Sequence, residues 1–359
     1  MALSGNKGEW SEIYALFKLL GEGKVHAGDA QMNKLNLYYP IISIIREEAK
    51  RYEYKPDVSQ NIVVVDEEGM EYARISMDKF LQESATLLSE IKMAKKSAFE
   101  IPATETFMGT IGCTKLKAPS QNKADIHIII HDLLTTSSHL LGFSIKSQLG
   151  SASTLLNAGM PTNFRYKVCG AALTDGQIQE INTVSSHLER MQEIYKAGCQ
   201  LEYDDMEHET FKNNLVFLDC MMPQLIADCL LVDSLYPVAS VKEVVNVVAK
   251  RNPMNFSGNN KELFYEHKMK MLLLDAALGM TPAKEWNGRY DANGGYIVVR
   301  KDGEIVCYHF YNRNDVEDYL YLNTRFEHAS RSRYQYGSLY RAEDGQVYIR
   351  LNLQIRFKQ

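Results

Sequence analysis

The chain has 359 residues, of which 45% are hydrophobic and 24% are charged, and these ordinary proportions exclude wholesale disorder. Its length predicts roughly two domains with enough apolar material for a sizeable core. The 40 Lys and Arg residues against 45 Asp and Glu give a net charge of −5, so a nucleic-acid partner would need a local basic face.

The N-terminal part of the chain is predicted to be mainly helical. Apolar residues at helical spacing predict a first helix over residues 10–20, ended by Gly21. We expect a second helix from Pro40 to about residue 52, because proline is tolerated in the first turn of a helix. A short strand over residues 61–66 and a long helix over residues 77–97 follow.

The middle of the chain changes from a β-rich to a helical pattern. Residues 106–116 look extended, and three β-rich runs with short connections predict one mixed or antiparallel sheet. These runs cover residues 124–131, 140–147 and 164–170. Apolar residues at three- and four-residue spacing then predict helices over residues 175–197, 207–234, 240–249 and 261–279.

The C-terminal part is β-rich again. A hairpin over residues 296–309 turns at residues 301–303, a short helix covers residues 315–322, and a last hairpin over residues 340–356 turns at residues 344–345. The predicted fold class is therefore α/β (α+β), with a mixed central β-sheet flanked by helices, a large helical region and a β-rich C-terminal part.

The sequence also predicts where the protein works. Its six cysteines form no Cys-x-x-Cys pair, and the N-terminus has no apolar leader. Without a run of 18 apolar residues, no membrane partner is expected. We therefore expect a cytoplasmic protein with reduced thiols.

Candidate catalytic residues lie on two neighbouring predicted strands. Asp125 opens the first, and on the second Ser144, Lys146 and Gln148 share one face because side chains alternate along a strand. A carboxylate that holds Mg²⁺ and a lysine that orients water or stabilises phosphate charge suit metal-assisted phosphodiester cleavage. The plainer alternative is a turn aspartate and an edge-strand lysine.

Two acids lie at the start of the first predicted helix. Glu9 and Glu12 flank its buried stripe, near the positive end of the helix dipole. One of them could supply a further acid to the candidate site, or both could be the ordinary acidic residues of a first helical turn. Residues 148–159 are rich in Ser, Thr, Asn and Gly, so Ser151, Ser153 and Asn157 are candidate phosphate contacts, or part of a plain capped loop.

A basic region occupies residues 323–359, with seven Lys and Arg residues against three acids. Arginine can bind guanine through two hydrogen bonds in the major groove, and short polar side chains add further contacts. A solvated basic strand pair is the alternative. The candidate DNA-binding residues here are Arg325, Ser330, Arg331, Arg333 and Gln335.

These patterns resemble known nucleases. Lys-Gly-x-x-x-Glu at residues 7–12, Asp125 on one strand and Lys146 on the next resemble PD-(D/E)xK nucleases, and the helix motif is similar to that of archaeal Holliday-junction resolvases. The segments NKGEWSE, GFSIKSQLGSASTLLNAG and VYIRLNLQIRF resemble type II restriction endonucleases related to HpaII. The resemblance extends from residue 6 to residue 357.

The resemblance implies a role for each candidate. Asp125 would bind the metal, Lys146 would be the catalytic lysine, and Glu12, or in its place Glu9, would complete the metal site. Ser144 stands where the pattern has an acid, which indicates the carbonyl of Ile145 as a further ligand. Gln148 is a candidate contact to the scissile phosphate. Ala124 replaces the proline of the pattern.

The resemblance also implies a function and an organisation. It indicates a type II restriction endonuclease that hydrolyses double-stranded DNA with Mg²⁺, with CCGG as target and 5′-phosphate products. A second copy of the chain, in a homodimer that matches a palindromic site, and a cognate DNA methyltransferase are the expected partners, with cleavage by a monomer as the alternative to the dimer. Residues 1–170 would form a PD-(D/E)xK core, 171–285 a helical region and 286–359 a DNA-recognition part, or all one elaborated domain. A structure-selective or repair nuclease, and a non-catalytic DNA-binding protein with a decayed site, are the alternatives.

Overall fold

The computed structural model describes residues 2–117, 124–133, 136–236, 240–328 and 336–358. The structure is 39% helical and 31% strand, which confirms the mixed α/β class. The α-helices in these ranges are α1 (Lys7–Glu22), α2 (Met77–Met93), α3 (Pro102–Thr110), α4 (Asp175–Thr183), α5 (His187–Lys196), α6 (Glu209–Leu218), α7 (Met222–Leu235), α8 (Val241–Arg251), α9 (Lys261–Leu278) and α10 (Arg313–Asn323).

Strands occur along the whole chain and pair within four sheets of the described residues. Two short 3₁₀ turns, Met160–Thr162 and Phe310–Asn312, lie between them. The strands are β1 (Ser4–Gly5), β2 (Lys24–Gly28), β3 (Lys34–Glu47), β4 (Arg51–Asp57), β5 (Ile62–Glu67), β6 (Met70–Ser76), β7 (Phe99–Glu100), β8 (Ile126–Asp132), β9 (Ser137–Ser147), β10 (Thr154–Leu156), β11 (Asn163–Gly170), β12 (Cys199–Met206), β13 (Gly295–Val299), β14 (Ile305–His309), β15 (Thr324–Phe326), β16 (Leu339–Arg341), β17 (Val347–Asn352) and β18 (Ile355–Phe357).

The chain forms two compact units that are each discontinuous in sequence. The first contains Met1–Ser153 and Tyr290–Tyr319, and the second contains Thr154–Arg289 and Leu320–Lys358. The hairpin of β13 and β14 therefore belongs to the first unit, although about 150 residues separate it from β9.

The first unit is built on a nine-stranded mixed sheet in the order β2-β14-β13-β9-β8-β3-β4-β5-β6, with a further pairing of β2 and β3. This extra pairing closes six of the strands into a ring. β9 pairs antiparallel with β8 and parallel with β13, so it lies inside the sheet. The mixed central sheet was predicted correctly, and it places Asp125 and Lys146 on adjacent strands.

Helix α1 begins and ends at residues that satisfy its terminal backbone groups. The Asn6 side chain accepts from the Glu9 N–H, and the Glu9 carboxylate accepts from the Asn6 N–H, which forms a capping box. The helix ends at Gly23, in the left-handed region at φ 64°, two residues beyond the predicted Gly21. Its apolar stripe packs into the core that includes β9, with buried Trp10, Ile13, Phe17, Phe143 and Ile145.

The second unit contains helices α4–α9 and two smaller sheets. Their orders are β12-β11-β17-β16 and β10-β18-β15. The prediction that β11 shares a sheet with β8 and β9 was wrong, because its partners β12 and β17 come from later in the chain. Strand β12 was also missed inside the predicted helical region, although its ends alternate between buried and exposed residues.

The predicted helix over residues 40–52 was wrong. These residues form the second half of β3 and the start of β4. Ile41, Ile44 and Ile45 are buried between β8 and β4, and β-branched side chains favour a strand there. The two-residue alternation that would have identified the strand is hidden in the sequence, because Ile42 is exposed while Ser43 and Arg46 are buried.

Two further boundaries differ from the prediction. Residues 106–116 were expected to be extended, but Pro102 opens α3, whose Thr106 hydroxyl donates to the Pro102 carbonyl at 2.9 Å. Helix α2 ends at Met93 instead of residue 97, with the Ala94 N–H bonded to Glu90. Residues 94–97 therefore lie outside the helix.

Within the described ranges no single helix is long and apolar enough to cross a membrane. Helices α6 and α7 together meet the length and composition criteria, but they are bent by 107° relative to each other.

Candidate active site

Asp125 lies at the bend just before β8, and its carboxylate is held by the neighbouring strand. Its N–H donates to the Phe143 carbonyl at 2.8 Å, which continues the ladder between the strands. Oδ2 accepts from the Ile145 N–H at 2.7 Å and from the Ser144 hydroxyl at 3.0 Å. The carboxylate is therefore fixed at the start of β8. It is bonded to Ile145, the residue that directly precedes Lys146 on β9.

The second carboxylate oxygen of Asp125 is left for another ligand. Among the described residues no donor contacts Oδ1, and Asp125 is half-buried. The N–H and C=O of one strand residue point to the same edge of the strand, so the Ile145 carbonyl points to the edge where Asp125 lies. These oxygens thus face the same open part of the sheet.

Lys146 is half-buried beside the same carboxylate. Its ammonium lies 5.3 Å from the centroid of the Tyr296 ring, which belongs to the adjacent β13. Burial lowers the pKa of Lys146, while the negative charges of Asp125 and Glu12 act in the opposite direction. A lysine whose charge is disfavoured by burial and supported by two acids is a common feature of functional sites.

The structure separates the two acids of α1. Glu9 belongs to the capping box and forms an ion pair with Lys117 at 2.6 Å. Burial would raise its pKa, but the hydrogen bonds from Lys117 and Asn6 outweigh that effect and lower it. Glu12, one turn further on, acts electrostatically on Lys146. Glu12 is therefore the acid of α1 that the fold brings to this site.

The other candidate beside the lysine, Gln148, is directed elsewhere. Its carboxamide oxygen accepts from the Lys301 N–H at 3.3 Å, and its nitrogen lies 3.3 Å from the Met32 sulfur. These contacts tie the residue that follows β9 to the turn between β13 and β14, through Lys301, and to the turn between β2 and β3, through Met32.

The candidate phosphate contacts after β9 fall into two environments. Ser151 and Ser153 line a cavity of about 910 Å³ in the first unit, together with Lys7. Asn157 is exposed directly after β10 in the second unit.

The C-terminal arginines are mostly paired with acids. Arg341 pairs with Asp175, Arg350 with Glu207, and Arg356 with Glu327. Arg325 on β15 is held more loosely. Its side chain is 40% exposed, and its shortest N–O distance to Glu327 is 3.7 Å, which is longer than in the other three pairs. The predicted contacts Ser330, Arg331, Arg333 and Gln335 lie outside the described residues.

The donor set at Asp125 is compatible with a hard divalent cation. No group of three or more His, Cys, Asp or Glu side chains suited to a metal occurs in the described part of the chain. Mg²⁺ does not require one, because it commonly uses one or two carboxylates and keeps water or substrate phosphate as its other ligands. The carboxylates of Asp125 and Glu12 and the carbonyl of Ile145 fit that requirement.

Comparison with known proteins identifies the family. The HpaII restriction endonuclease family matches residues 6–357. The chain is 44% identical over 358 residues to the type II restriction enzyme HpaII of Haemophilus parainfluenzae, covering 99% of this chain and 98% of the relative. The chain belongs to the HpaII restriction endonuclease family. No solved structure matches it.

Membership of the HpaII family determines the class of activity. The protein is a type II site-specific deoxyribonuclease, which is a hydrolase that binds DNA and belongs to a restriction-modification system. The predicted function is confirmed at this level.

Some residues near the site were not predicted from the sequence. Tyr296 approaches Lys146 only through the parallel pairing of β9 and β13, which no local pattern reveals. Lys95 and Lys96 line the same cavity as Ser151, and their only sequence signal was a pair of lysines inside a predicted helix.

Proposed function

We propose that this HpaII-family enzyme hydrolyses duplex DNA within CCGG and uses Mg²⁺. The observation that carries the proposal is the Asp125 carboxylate, which is held at 2.7 Å by the Ile145 N–H directly beside Lys146. This arrangement supports metal-assisted phosphodiester cleavage. The target follows from the sequence resemblance set out above.

The side chains have distinct tasks in this proposal. Asp125 and Glu12, with the Ile145 carbonyl, would hold the ion. When bound, Mg²⁺ would neutralise phosphate charge and lower the pKa of a water molecule. Ser144 keeps the Asp125 carboxylate oriented by donating to Oδ2. Lys146 would donate hydrogen bonds to the attacking water or to the phosphate oxygens.

The reaction is a hydrolysis without redox change. A bond forms between the water oxygen and phosphorus while the bond from phosphorus to the 3′ oxygen breaks. The 3′ oxygen takes up a proton and becomes a hydroxyl, and the phosphate stays on the 5′ end of the other fragment.

The partners of the enzyme are also proposed. We infer that it acts as a homodimer, because CCGG is palindromic and a two-fold protein axis matches a two-fold DNA site. A DNA methyltransferase that modifies the same sequence would protect host DNA without a physical contact. Light scattering with and without a CCGG duplex tests the dimer.

Cleavage of defined DNA tests the main proposal. Two duplexes that differ only in CCGG against CGCG are incubated with the protein and Mg²⁺, or with EDTA. We expect metal-dependent cleavage of the first duplex at one position in each strand, with 5′-phosphate ends. Cleavage of both duplexes, or cleavage in EDTA, would contradict the proposed target or cofactor respectively.

Two variants separate chemistry from binding. Asp125→Asn and Lys146→Ala should lose cleavage by several orders of magnitude while retaining a gel shift with the CCGG duplex. Full activity in either variant would exclude the proposed site. Gln148→Ala, whose contacts lie with Met32 and Lys301, is the matched comparison and should cut far better than both.

A further inference from the structure

A basic cavity in the first unit has no role in the cleavage chemistry described above. It has a volume of about 910 Å³ and lies between the start of α1, residues 94–97 after α2, and residues 147–153 after β9. Three lysines line it, Lys7, Lys95 and Lys96, and none of the described residues in its lining is acidic, whereas Glu90 and Glu100 line a neighbouring cavity that shares Lys95 and Lys96. The chain as a whole has a net charge of −5, so this surplus of positive charge is a local feature.

The positive charges of this cavity are not neutralised within the described residues. Lys95 and Lys96 are exposed and form no ion pair there, and the Lys7 ammonium donates only to the Lys92 carbonyl, at 3.4 Å. Six other lysines of the same unit are in ion pairs with acids, namely Lys18, Lys34, Lys50, Lys55, Lys79 and Lys117, whereas Lys24, Lys92, Lys115 and Lys301 form none with the described residues. The cavity lysines therefore remain available to an external anion.

Hydroxyl groups complete the lining on the side of the catalytic strand. Ser147 directly follows Lys146, and Ser151 and Ser153 lie a few residues further on. Because side chains alternate along a strand, Ser147 and Lys146 point to opposite faces of β9, so the cavity approaches the candidate site through α1, where Gly8 lines the cavity one turn before Glu12. Close packing shapes this wall, because a Cβ on Gly150 would lie 3.1 Å from the Lys7 Cβ.

We propose that this cavity binds the DNA backbone at phosphates flanking the scissile one, through Lys95, Lys96 and Lys7 with Ser151 and Ser153. The proposal rests on the proposed function and deepens it by assigning a substrate contact. Lysine and hydroxyl groups are the usual partners of phosphate oxygens, and such contacts fix the register of a protein on duplex DNA without reading its sequence. B-DNA carries one phosphate per strand about every 3.4 Å along its axis, so several phosphates lie within about 10 Å of the cleavage point.

The salt dependence of DNA binding tests the proposal. Binding of fluorescent CCGG and CGCG duplexes is measured in EDTA over a series of salt concentrations, for the wild type and for Lys95→Gln/Lys96→Gln. Each phosphate contact contributes about 0.9 to the slope of log K against log salt, so the double variant should lose about 1.8 and bind roughly 50-fold more weakly at 0.1 M salt. Because phosphate contacts carry no sequence information, both duplexes should be affected equally.

Two control variants sharpen the result. Lys50→Gln/Lys79→Gln removes the same charge at ion-paired lysines outside the cavity and should keep the wild-type slope. Lys95→Arg/Lys96→Arg keeps the positive charge and should therefore also keep the wild-type slope. An unchanged slope in Lys95→Gln/Lys96→Gln, or an equal loss in the control pair, would overturn the proposal. Metal-dependent cleavage by the wild type, measured in parallel, tests the proposed function separately, since the slopes are obtained without metal.

Discussion

The hydroxyl of Ser11 on α1 lies 2.8 Å from the hydroxyl of Ser147 on β9. Glu12 directly follows Ser11, and Lys146 directly precedes Ser147. This buried hydrogen bond therefore joins the helix that carries one candidate acid to the strand that carries the candidate lysine. The relative position of these two charges depends on it.

Removal of this bond should slow cleavage more than it weakens DNA binding. In Ser11→Ala the Ser147 hydroxyl loses this partner but still accepts from the Leu149 N–H at 3.1 Å, so we expect a cost of about 0.5–1.5 kcal/mol in unfolding free energy. Since small displacements of reacting groups are costly, we expect a tenfold to hundredfold lower rate, as an order of magnitude. Single-turnover cleavage and DNA binding in EDTA measure the two effects.

A matched serine controls for the loss of a buried hydroxyl. Ser84 on α2 is buried and donates within its own helix, to the Leu81 carbonyl at 2.8 Å. Ser84→Ala should cut at nearly the wild-type rate. If Ser11→Ala were as fast as Ser84→Ala, the bond would have no positioning role.

The second prediction concerns Ser144, which stands where related patterns have an acid. Its hydroxyl donates to Asp125 Oδ2, so it orients a candidate metal ligand. Loss of a group that orients a ligand commonly reduces metal affinity by roughly 10- to 100-fold. Ser144→Ala should therefore bind Mn²⁺ correspondingly more weakly in calorimetry without DNA, while Ser84→Ala should not. Equal Mn²⁺ affinity in the two variants would exclude this role.

Local sequence patterns predicted part of this site for a physical reason. Asp125 and Lys146 lie on strands joined by a short connection, so their antiparallel pairing follows from sequence neighbours. Tyr296 could not be placed beside Lys146, because its strand comes from a distant hairpin. The strand that contains Ile44 was mistaken for a helix, since an exposed Ile42 and a buried Ser43 break the alternation of apolar and polar residues.

The acids of α1 show a similar limit. Glu9 and Glu12 have the same chemistry and lie one turn apart, so spacing alone left both open. Their different roles arise from partners far along the chain, since Lys117 pairs with Glu9 whereas Lys146 interacts with Glu12. Such non-local contacts are encoded in the fold and not in the periodicity of one helix.

Acid should destabilise the second unit through His187. Burial lowers its pKa to about 3, and the positive charges of His328 and Arg190 act in the same direction. Tyr336 also faces its ring, and Asp233 faces His328. The unfolded state binds a proton near pH 6.5 but the folded state only near pH 3, so stability falls as pH decreases between these values.

Urea unfolding at two pH values measures this effect. Between pH 7 and pH 5 the wild type should lose about 2 kcal/mol more than His187→Gln, which has no titratable ring. His267→Gln removes an exposed histidine and should behave as the wild type. Equal acid sensitivity of the wild type and His187→Gln would contradict the assignment.

The last prediction separates structural from DNA-binding arginines in the C-terminal part. The excess of basic residues over residues 323–359 suggested one DNA-binding face, but the Arg350 side chain forms contacts within the protein. Its guanidinium pairs with Glu207 and lies 4.0 Å from the Tyr340 ring centroid, with only 19% of the side chain exposed. Arg350→Ala should therefore lower the unfolding free energy by about 1–3 kcal/mol, because the half-buried Glu207 carboxylate loses its cation and keeps the Asn163 amide, which is neutral.

Arg325 should behave in the opposite way. Its open side chain is available to DNA, so Arg325→Ala should change stability by less than about 0.5 kcal/mol, as is usual for surface substitutions. A lost base contact would instead weaken binding to CCGG by roughly 1–3 kcal/mol, with a smaller effect on CGCG. Urea unfolding and anisotropy on both duplexes distinguish the two arginines. Equal weakening on both duplexes would assign Arg325 to the backbone, and no weakening would exclude it from the interface.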